Sequence, residues 1–261
     1  MNIQDHNRPV ALITGASAGI GRELARLLAQ HGYDLVVTGR RIDRLEELRR
    51  ELGAEYQTRV IPLRADLADP RSPDRLVADI KNMGLSIEVL INDAGFGKIG
   101  DYSEFPWPTT QDMIQVNLTV LMHLTRLVLP DMITRGRGKI LNVGSTAAWL
   151  PGPYMAVYYA VKAAVVSFSE ALWAETRGTG VTVTCLCPGP THTEFHQRAG
   201  MREIGPLGVM TASDVAAIGL RAMERGRRLV VAGWRNALTT AIMNLVPHRI
   251  LLIAVSRIHG R

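Results

Sequence analysis

The stretch Pro9-Val-Ala-Leu-Ile-Thr14-Gly15-Ala-Ser17-Ala18-Gly19-Ile20-Gly21-Arg22-Glu-Leu-Ala-Arg-Leu-Leu-Ala-Gln30 changes its hydrophobic period in the middle. The first six residues form a short apolar run, and from Arg22 onward the apolar residues recur at helical spacing, so the segment reads as strand, glycine turn, helix. Gly15 permits a tight turn, Gly19 lets the backbone approach a pyrophosphate, and Gly21 lets helix and strand pack closely. The helix N-terminus adds free N–H groups that attract an anion. The spacing G-x-x-x-G-x-G differs from the commoner G-x-G-x-x-G, yet its place at the end of the first strand points to a dinucleotide, with Ser17, Ala18 and Ile20 completing the turn.

The same unit recurs downstream. Tyr33-Asp-Leu-Val-Val-Thr38 reads as a second strand, followed by a helix from Ile42. Thr58-Arg-Val-Ile-Pro-Leu63 and Ile87-Glu-Val-Leu-Ile91 read as the third and fourth strands, separated by a helix over 69–83. A long helical pattern over 109–134 carries Asn117 amid apolar neighbours; the strand Lys139-Ile-Leu-Asn-Val143 and a helix to about Arg177 follow. Val181-Thr-Val-Thr-Cys-Leu-Cys187 and Arg228-Leu-Val-Val-Ala232 complete the set. Strands separated repeatedly by helices imply an α/β fold, a Rossmann-type doubly wound parallel sheet of about seven strands in a single domain spanning 1–261. Ligands of such sheets gather at the carboxyl ends of the strands.

The ends of those strands carry the candidate site. A carboxylate at the end of the second strand would grip the ribose 2′-OH of NAD, but this strand stops at Gly39-Arg40-Arg41. Arg40 and Arg41 suit a 2′-phosphate, so NADP(H) is favoured over NAD(H), against the plainer reading of a solvated helix start. Asp66, followed by Leu67, either accepts from an adenine amino group or caps the following helix. Asn92-Asp93-Ala94-Gly95 keeps the backbone low beneath a bound cofactor. Asn117, buried in a helix, must find partners as a structural bridge or part of a water relay.

Tyr158 and Lys162 lie four apart, which on a helix stacks them on one face. An ammonium beside a phenol favours the phenolate, so the expectation is a tyrosine of lowered pKa, useful as a general acid near neutrality. Ser145, at the end of the fifth strand, is placed to hydrogen-bond a substrate oxygen. Alone, Tyr-x-x-x-Lys is common in ordinary packed helices; its neighbours give it weight.

Composition narrows the class. The chain of 261 residues is 47% hydrophobic and 21% charged, ordinary for a soluble globular protein. Its net charge of +6 invites a nucleic-acid reading, but the arginines are dispersed, with acids among the first group, so no nucleic acid partner is expected. The start Met1-Asn-Ile-Gln-Asp-His6 lacks an apolar signal core. Cys185 and Cys187 fall on one face of a strand, as buried thiols do, and a reducing, cytoplasmic setting is expected. His192 and His196 are four apart but have no third ligand nearby, so no metal is expected.

Taken together, Thr14-Gly15-x-x-x-Gly19-Ile20-Gly21, Asp66-Leu67, Asn92-x-Ala94-Gly95, Asn117, Ser145, Tyr158-x-Ala160-x-Lys162 and Pro188-Gly189-x-x-x-Thr193 resemble the short-chain dehydrogenase/reductase family, in its compact single-domain branch. The resemblance spans Pro9 to Val231. It implies that Tyr158 exchanges a proton with the substrate oxygen, that Lys162 lowers its pKa and hydrogen-bonds the nicotinamide ribose, that Ser145 polarises the carbonyl, and that Asn117 holds a water. Pro188, Gly189, Thr191 and Thr193 are implied near the nicotinamide. Asp93 departs from the family's usual second Asn, at a site expected mainly to support the sheet. The neighbouring Tyr159 is expected to pack against the sheet or a partner subunit. A homodimer or homotetramer is implied, with the Asn117 and Tyr158 helices at the contact. The chain is also similar to a bacterial subgroup of mostly unassigned substrate.

Trp149, Leu150, Tyr154, Met155 and the 194–208 segment are the expected substrate walls, apolar enough for a ketone or secondary alcohol with a hydrophobic body. The tail over 234–261 is apolar with basic punctuation, and Pro247 and Arg249 break it below the length of a membrane span. It reads as a substrate cap or subunit contact, or as an interfacial anchor giving peripheral membrane contact. The expected function is an NADP-dependent carbonyl reductase; the alternative is a catalytically silent NADP-binding regulatory protein. A longer-branch epimerase or dehydratase would need a larger C-terminal domain than follows Thr193.

Overall fold

Alternation along the first strand builds the fold from the inside. In β1 (Val10–Thr14) the side chains of Ala11 and Ile13 face one layer of helices while Val10 and Leu12 face the other, and all four are buried. The computed structural model describes residues 8–201, 209–243 and 245–259. Around β1 lie β2 (Asp34–Gly39), β3 (Val60–Arg64), β4 (Ile87–Asn92), β5 (Gly138–Val143), β6 (Val181–Cys187) and, further along the chain, β9 (Leu229–Val231). They pair in parallel in the order β3-β2-β1-β4-β5-β6-β9. The direction of winding reverses between β1 and β4, the place where such sheets open a crevice at their carboxyl ends.

One face is covered by α1 (Gly19–Gln30), α2 (Ile42–Tyr56) and α8 (Ala212–Glu224), whose Leu24, Leu28, Leu45, Leu48, Val215 and Leu220 join Ile13, Leu35 and Val37 in one core cluster. The other is covered by α3 (Ser72–Asn82), α5 (Val120–Thr134) and α6 (Ala156–Glu175); their apolar residues pack on Leu12, Val36, Leu90 and Ile140. The helix read over 109–134 begins earlier, with α4 (Trp107–Ile114), and is interrupted by a π-helical segment, Gln115–Thr119, before α5. That extra residue in the turn carries Asn117, and single π turns recur at functional sites. The helix read over 69–83 is shorter, because the turn at Asp66–Asp69 uses its own hydrogen bonds before α3 starts.

A polar chain crosses the core just below the strand ends. Asn92 Nδ2 donates to Asn142 Oδ1 at 2.9 Å and to Thr125 Oγ1 at 3.3 Å, and Asn142 Nδ2 donates to Ser169 Oγ at 2.9 Å. These groups tie β4, β5, α5 and α6 together in a dry interior where each unpartnered amide would be costly.

Two short strands, β7 (Thr191–His192) and β8 (Met210–Thr211), bracket α7 (Phe195–Ala199) beyond the sheet. The tail folds as α9 (Trp234–Met243) and α10 (His248–His259), which are 10 and 12 residues long. Among the described residues the only helix long and apolar enough to cross a membrane is the one over 107–134, and its apolar face is part of the core. The Asn142→Leu variant is expected to unfold in urea with a stability lower by about 1–3 kcal/mol, because it removes the shorter acceptor of Asn92 Nδ2 and the donor to Ser169 Oγ from a buried site; an unchanged midpoint would show that the polar chain adds nothing to stability.

Candidate active site

At the carboxyl ends of β1, β4, β5 and β6 lies a cavity of about 850 Å³. Its floor is the glycine turn. Gly15 and Gly19 adopt φ of +75° and +59°, the left-handed region open to glycine, and a Cβ on Gly15 would stand 2.9 Å from the backbone nitrogen of Ala94. Ala18, before α1, has no capping side chain, so the first amide groups of the helix suit an anion, with the Asp93 carboxylate already set against Gly21. A Cβ on Gly95 would come 2.5 Å from Asn117 Oδ1, and one on Gly97 would press on Met155, Phe195 and Tyr158. This floor fits the backbone-hugging body of a dinucleotide.

At one end of the cavity Arg40 and Arg41 line the wall beside Ser17. Arg41 is already engaged: its guanidinium donates to Ser17 Oγ at 3.0 Å and to Glu194 Oε2 at 2.8 Å. Glu194 also accepts from Arg44, and from Arg198 at 2.7 Å; these guanidinium hydrogen bonds hold its carboxyl below the usual range. One carboxylate among these arginines leaves an excess of positive charge where Gly39 leaves room. Asp66 Oδ1 accepts from the Ala68 N–H at 3.1 Å, so it closes the turn after β3 while still lining the cavity, as Leu67 does.

At the inner end Ser145, Tyr158 and Lys162 meet. Ser145 leaves β5 in extended conformation and its Oγ accepts from the Ala147 N–H at 3.1 Å. It also stands near enough to the Tyr158 phenol to pull that group's pKa down. Lys162, one turn on in α6, is buried; its Nζ donates to the Val143 carbonyl at 2.8 Å and stands 5.8 Å from the Tyr158 ring centroid. Asn117 Nδ2 donates to Phe96 O at 2.9 Å and Met113 O at 2.8 Å, while its buried Oδ1 lacks a partner and faces the Gly95 side of the cavity near Lys162.

The electrostatics correct one expectation. Burial pushes the Tyr158 phenol above its ordinary value, more than the hydrogen bond to Ser145 pulls it back, and Lys162 is not among the leading influences on it. Burial likewise lowers Lys162, opposed by the attraction of Asp93. The ammonium is turned to the Val143 carbonyl, and the loss of water around the phenol outweighs what nearby charge and hydrogen bonding restore, so proximity in sequence does not make the phenol acidic in the chain alone.

Ala18, Ile20, Ala94, Pro188, Gly189, Thr191 and Thr193 all line the same cavity, and so do Leu150 and Met155. Gly21 and Asn92 lie behind the lining, Gly21 against the Gly15 carbonyl and Asn92 in the polar chain of the core. Trp149 and Tyr154 are elsewhere. Trp149 packs with Leu121 and Val165, and Tyr154, at φ +64°, is an exposed loop residue whose carbonyl accepts from Gly100. Tyr159, expected to pack elsewhere, lines the cavity beside Tyr158 with its ring against Gly152. Of the 194–208 segment, Glu194, Phe195, His196, Arg198 and Met201 reach the cavity, and residues 202–208 lie outside the described residues. Met243 of α9 and Val255 of α10 close it from the tail. Among the described residues no three His, Cys, Asp or Glu side chains gather as metal ligands.

A family model of short chain dehydrogenases matches residues 9–203. The chain belongs to the short-chain dehydrogenase family. It is therefore an oxidoreductase. It is 40% identical over 188 residues to a sulfoacetaldehyde reductase of Chromohalobacter salexigens, covering 70% of this chain and 72% of that one. A short-chain dehydrogenase from Sphingobium yanoikuyae, solved in complex with NADPH, superposes with a TM-score of 0.81 at 31% identity, over 91% of this chain and 94% of that chain. The bulky-bulky ketone specific alcohol dehydrogenase of Comamonas testosteroni superposes with a TM-score of 0.78 at 27% identity, over 92% and 94%.

For this short-chain dehydrogenase without added ligand, the tyrosinate absorbance of wild type and Tyr158→Phe is expected to rise in parallel up to about pH 10, because Tyr158 ionises above the ordinary phenol range. A wild-type excess appearing near neutrality would show that Lys162 outweighs burial.

Proposed function

We propose that the chain is an NADP(H)-dependent carbonyl reductase that interconverts a hydrophobic ketone or aldehyde and its secondary or primary alcohol. The observation that carries this reading is the meeting of the Ser145 and Tyr158 hydroxyls on one cavity wall, with Lys162 behind them and the glycine turn below. Bound NADP(H) would lie with its pyrophosphate on Gly15 to Gly21 and its 2′-phosphate at Arg40, Arg41 and Ser17, and it supplies or accepts the hydride.

The chain's own residues supply the proton chemistry. The Ser145 hydroxyl donates to the substrate oxygen and fixes it beside Tyr158. Tyr158 gives its phenolic proton to that oxygen as it gains charge, or takes one in the reverse direction. A raised phenol pKa suits the donor role: the proton stays on Tyr158 until a stronger base, the nascent alkoxide, stands next to it. Lys162 and Asn117 line the route by which the proton is replaced. The similarity to a ketone-specific alcohol dehydrogenase, and walls that include Phe96, Leu150, Met155, Phe195, Met243 and Val255, favour a substrate with an apolar body. The lining by Met243 and Val255 supports the cap reading of the tail; Trp234, Leu238, Ile242 and Ile253, exposed on its outer side, suit a subunit contact or a peripheral membrane contact. The exposed Ile114 and Met122 on the Asn117 helix suit the homodimer or homotetramer that the family resemblance implies.

Purified protein is expected to oxidise NADPH with apolar ketones or aldehydes, and Tyr158→Phe to slow turnover by a factor on the order of 10² or more. Full turnover by that variant would move the acid elsewhere. Binding of NADPH with no turnover on any carbonyl compound would favour the silent regulatory protein instead. For the cofactor, Arg40→Ala combined with Arg41→Ala is expected to weaken NADPH binding by about 10- to 100-fold and leave NADH affinity within about twofold, the difference that a charge-assisted phosphate contact makes. Equal losses for the two coenzymes would detach these arginines from the 2′-phosphate.

A further inference from the structure

Asp93 is the residue at which the chain departs from the family pattern, and the structure gives it a different place from the sheet support expected of it. Asn92 braces the strands through Asn142 and Thr125. Asp93 turns the other way, under the glycine turn and into the cavity lining. Its Oδ2 would stand 2.9 Å from a Cβ on Gly15 and 2.5 Å from one on Gly21, which sets its carboxylate against the start of α1, where the Gly21 N–H favours its charged form. Its own N–H donates to Thr14 Oγ1 at 3.1 Å, which fixes the backbone that aims it.

The ionisable groups that bear on it come from α6 and β6. Lys162 attracts it, Tyr158 is pushed upward by its charge, and Cys185 and Cys187 act on the same Lys162 from behind. Burial pushes the Asp93 carboxyl up to about 7, against the pull of Lys162 and of the Gly21 N–H. A turn of backbone N–H groups at a helix start attracts anions, and a carboxylate set inside that turn repels them. Bringing a further anion close to a carboxyl that already resists ionisation raises its pKa again.

We propose that Asp93 is a proton-linked part of the dinucleotide site, occupied as the neutral carboxylic acid when a pyrophosphate sits on the glycine turn, so that binding draws a proton from solvent onto its carboxylate. This rests on the dinucleotide reading above. The affinity is then greatest at pH values below the carboxyl's pKa in the free chain. It falls as pH rises through that value, by at most about tenfold per pH unit, until the higher pKa of the complex is passed.

The test is calorimetric titration of the full chain with NADPH between pH 7 and 8.5, in pairs of buffers that differ in ionisation enthalpy. The 2′-phosphate titrates near pH 6, below this window, and is common to every protein compared. Wild type is expected to take up a substantial fraction of a proton and to lose several-fold in affinity across the window. Asp93→Asn, which keeps the shape and removes the charge, and Asp93→Ser as a second neutral variant, are expected to take up none and to bind with a flat pH dependence. No uptake by wild type overturns the proposal; uptake that survives in both variants also overturns it and assigns the proton to another group such as Lys162. Failure of all three proteins to bind NADPH overturns the dinucleotide reading as well, whereas tight binding with identical pH dependence overturns only the role of Asp93.

Discussion

Desolvation of ionisable side chains at the inner end of the cavity is the constraint around which this site is organised. Tyr158 and Lys162 are drawn toward their neutral forms by the same loss of water, the phenol upward and the amine downward. Each is then adjusted by a neighbour from a different element: Ser145 from the end of β5, Asp93 from the end of β4, and the Val143 carbonyl that holds the ammonium. None of these partners works unless the strands end at the same level, so the chemistry depends on the parallel register of β1, β4, β5 and β6.

That register is in turn secured below the site. The Asn92, Asn142, Thr125 and Ser169 chain joins two strands to the two helices that carry Asn117 and Tyr158, with polar groups in place of apolar packing. A polar chain of this kind has few alternative arrangements, because a slip would leave buried amides without partners. Above it, glycine is required wherever the floor must lie flat, and the neighbours of Gly15, Gly95 and Gly97 show how little space a methyl group would find.

The two ends of the cavity differ in kind. The arginine end is polar and cross-linked through Glu194, which also begins the segment leading into α7. The next residue, Phe195, packs on the Tyr158 ring with centroids 5.1 Å apart. A side chain at the arginine end and one against Tyr158 are therefore consecutive in the chain, so one short segment forms part of both ends of the cavity.

Much was legible along the chain because it is written in local pattern. The change of period at Gly15, the apolar strands and the i, i+4 spacing of Tyr158 and Lys162 depend on neighbours in sequence, and the seven-stranded parallel sheet follows from their repetition. What only the tertiary structure decided are the properties set by residues far apart. These include the raised phenol of Tyr158, the turning of Asp93 away from the sheet, the exclusion of Trp149 and Tyr154 from the cavity, and its closure by Met243 and Val255. Spacing specifies which side chains share a face, but burial and electric field are sums over everything packed around a group, and those neighbours are chosen by the fold.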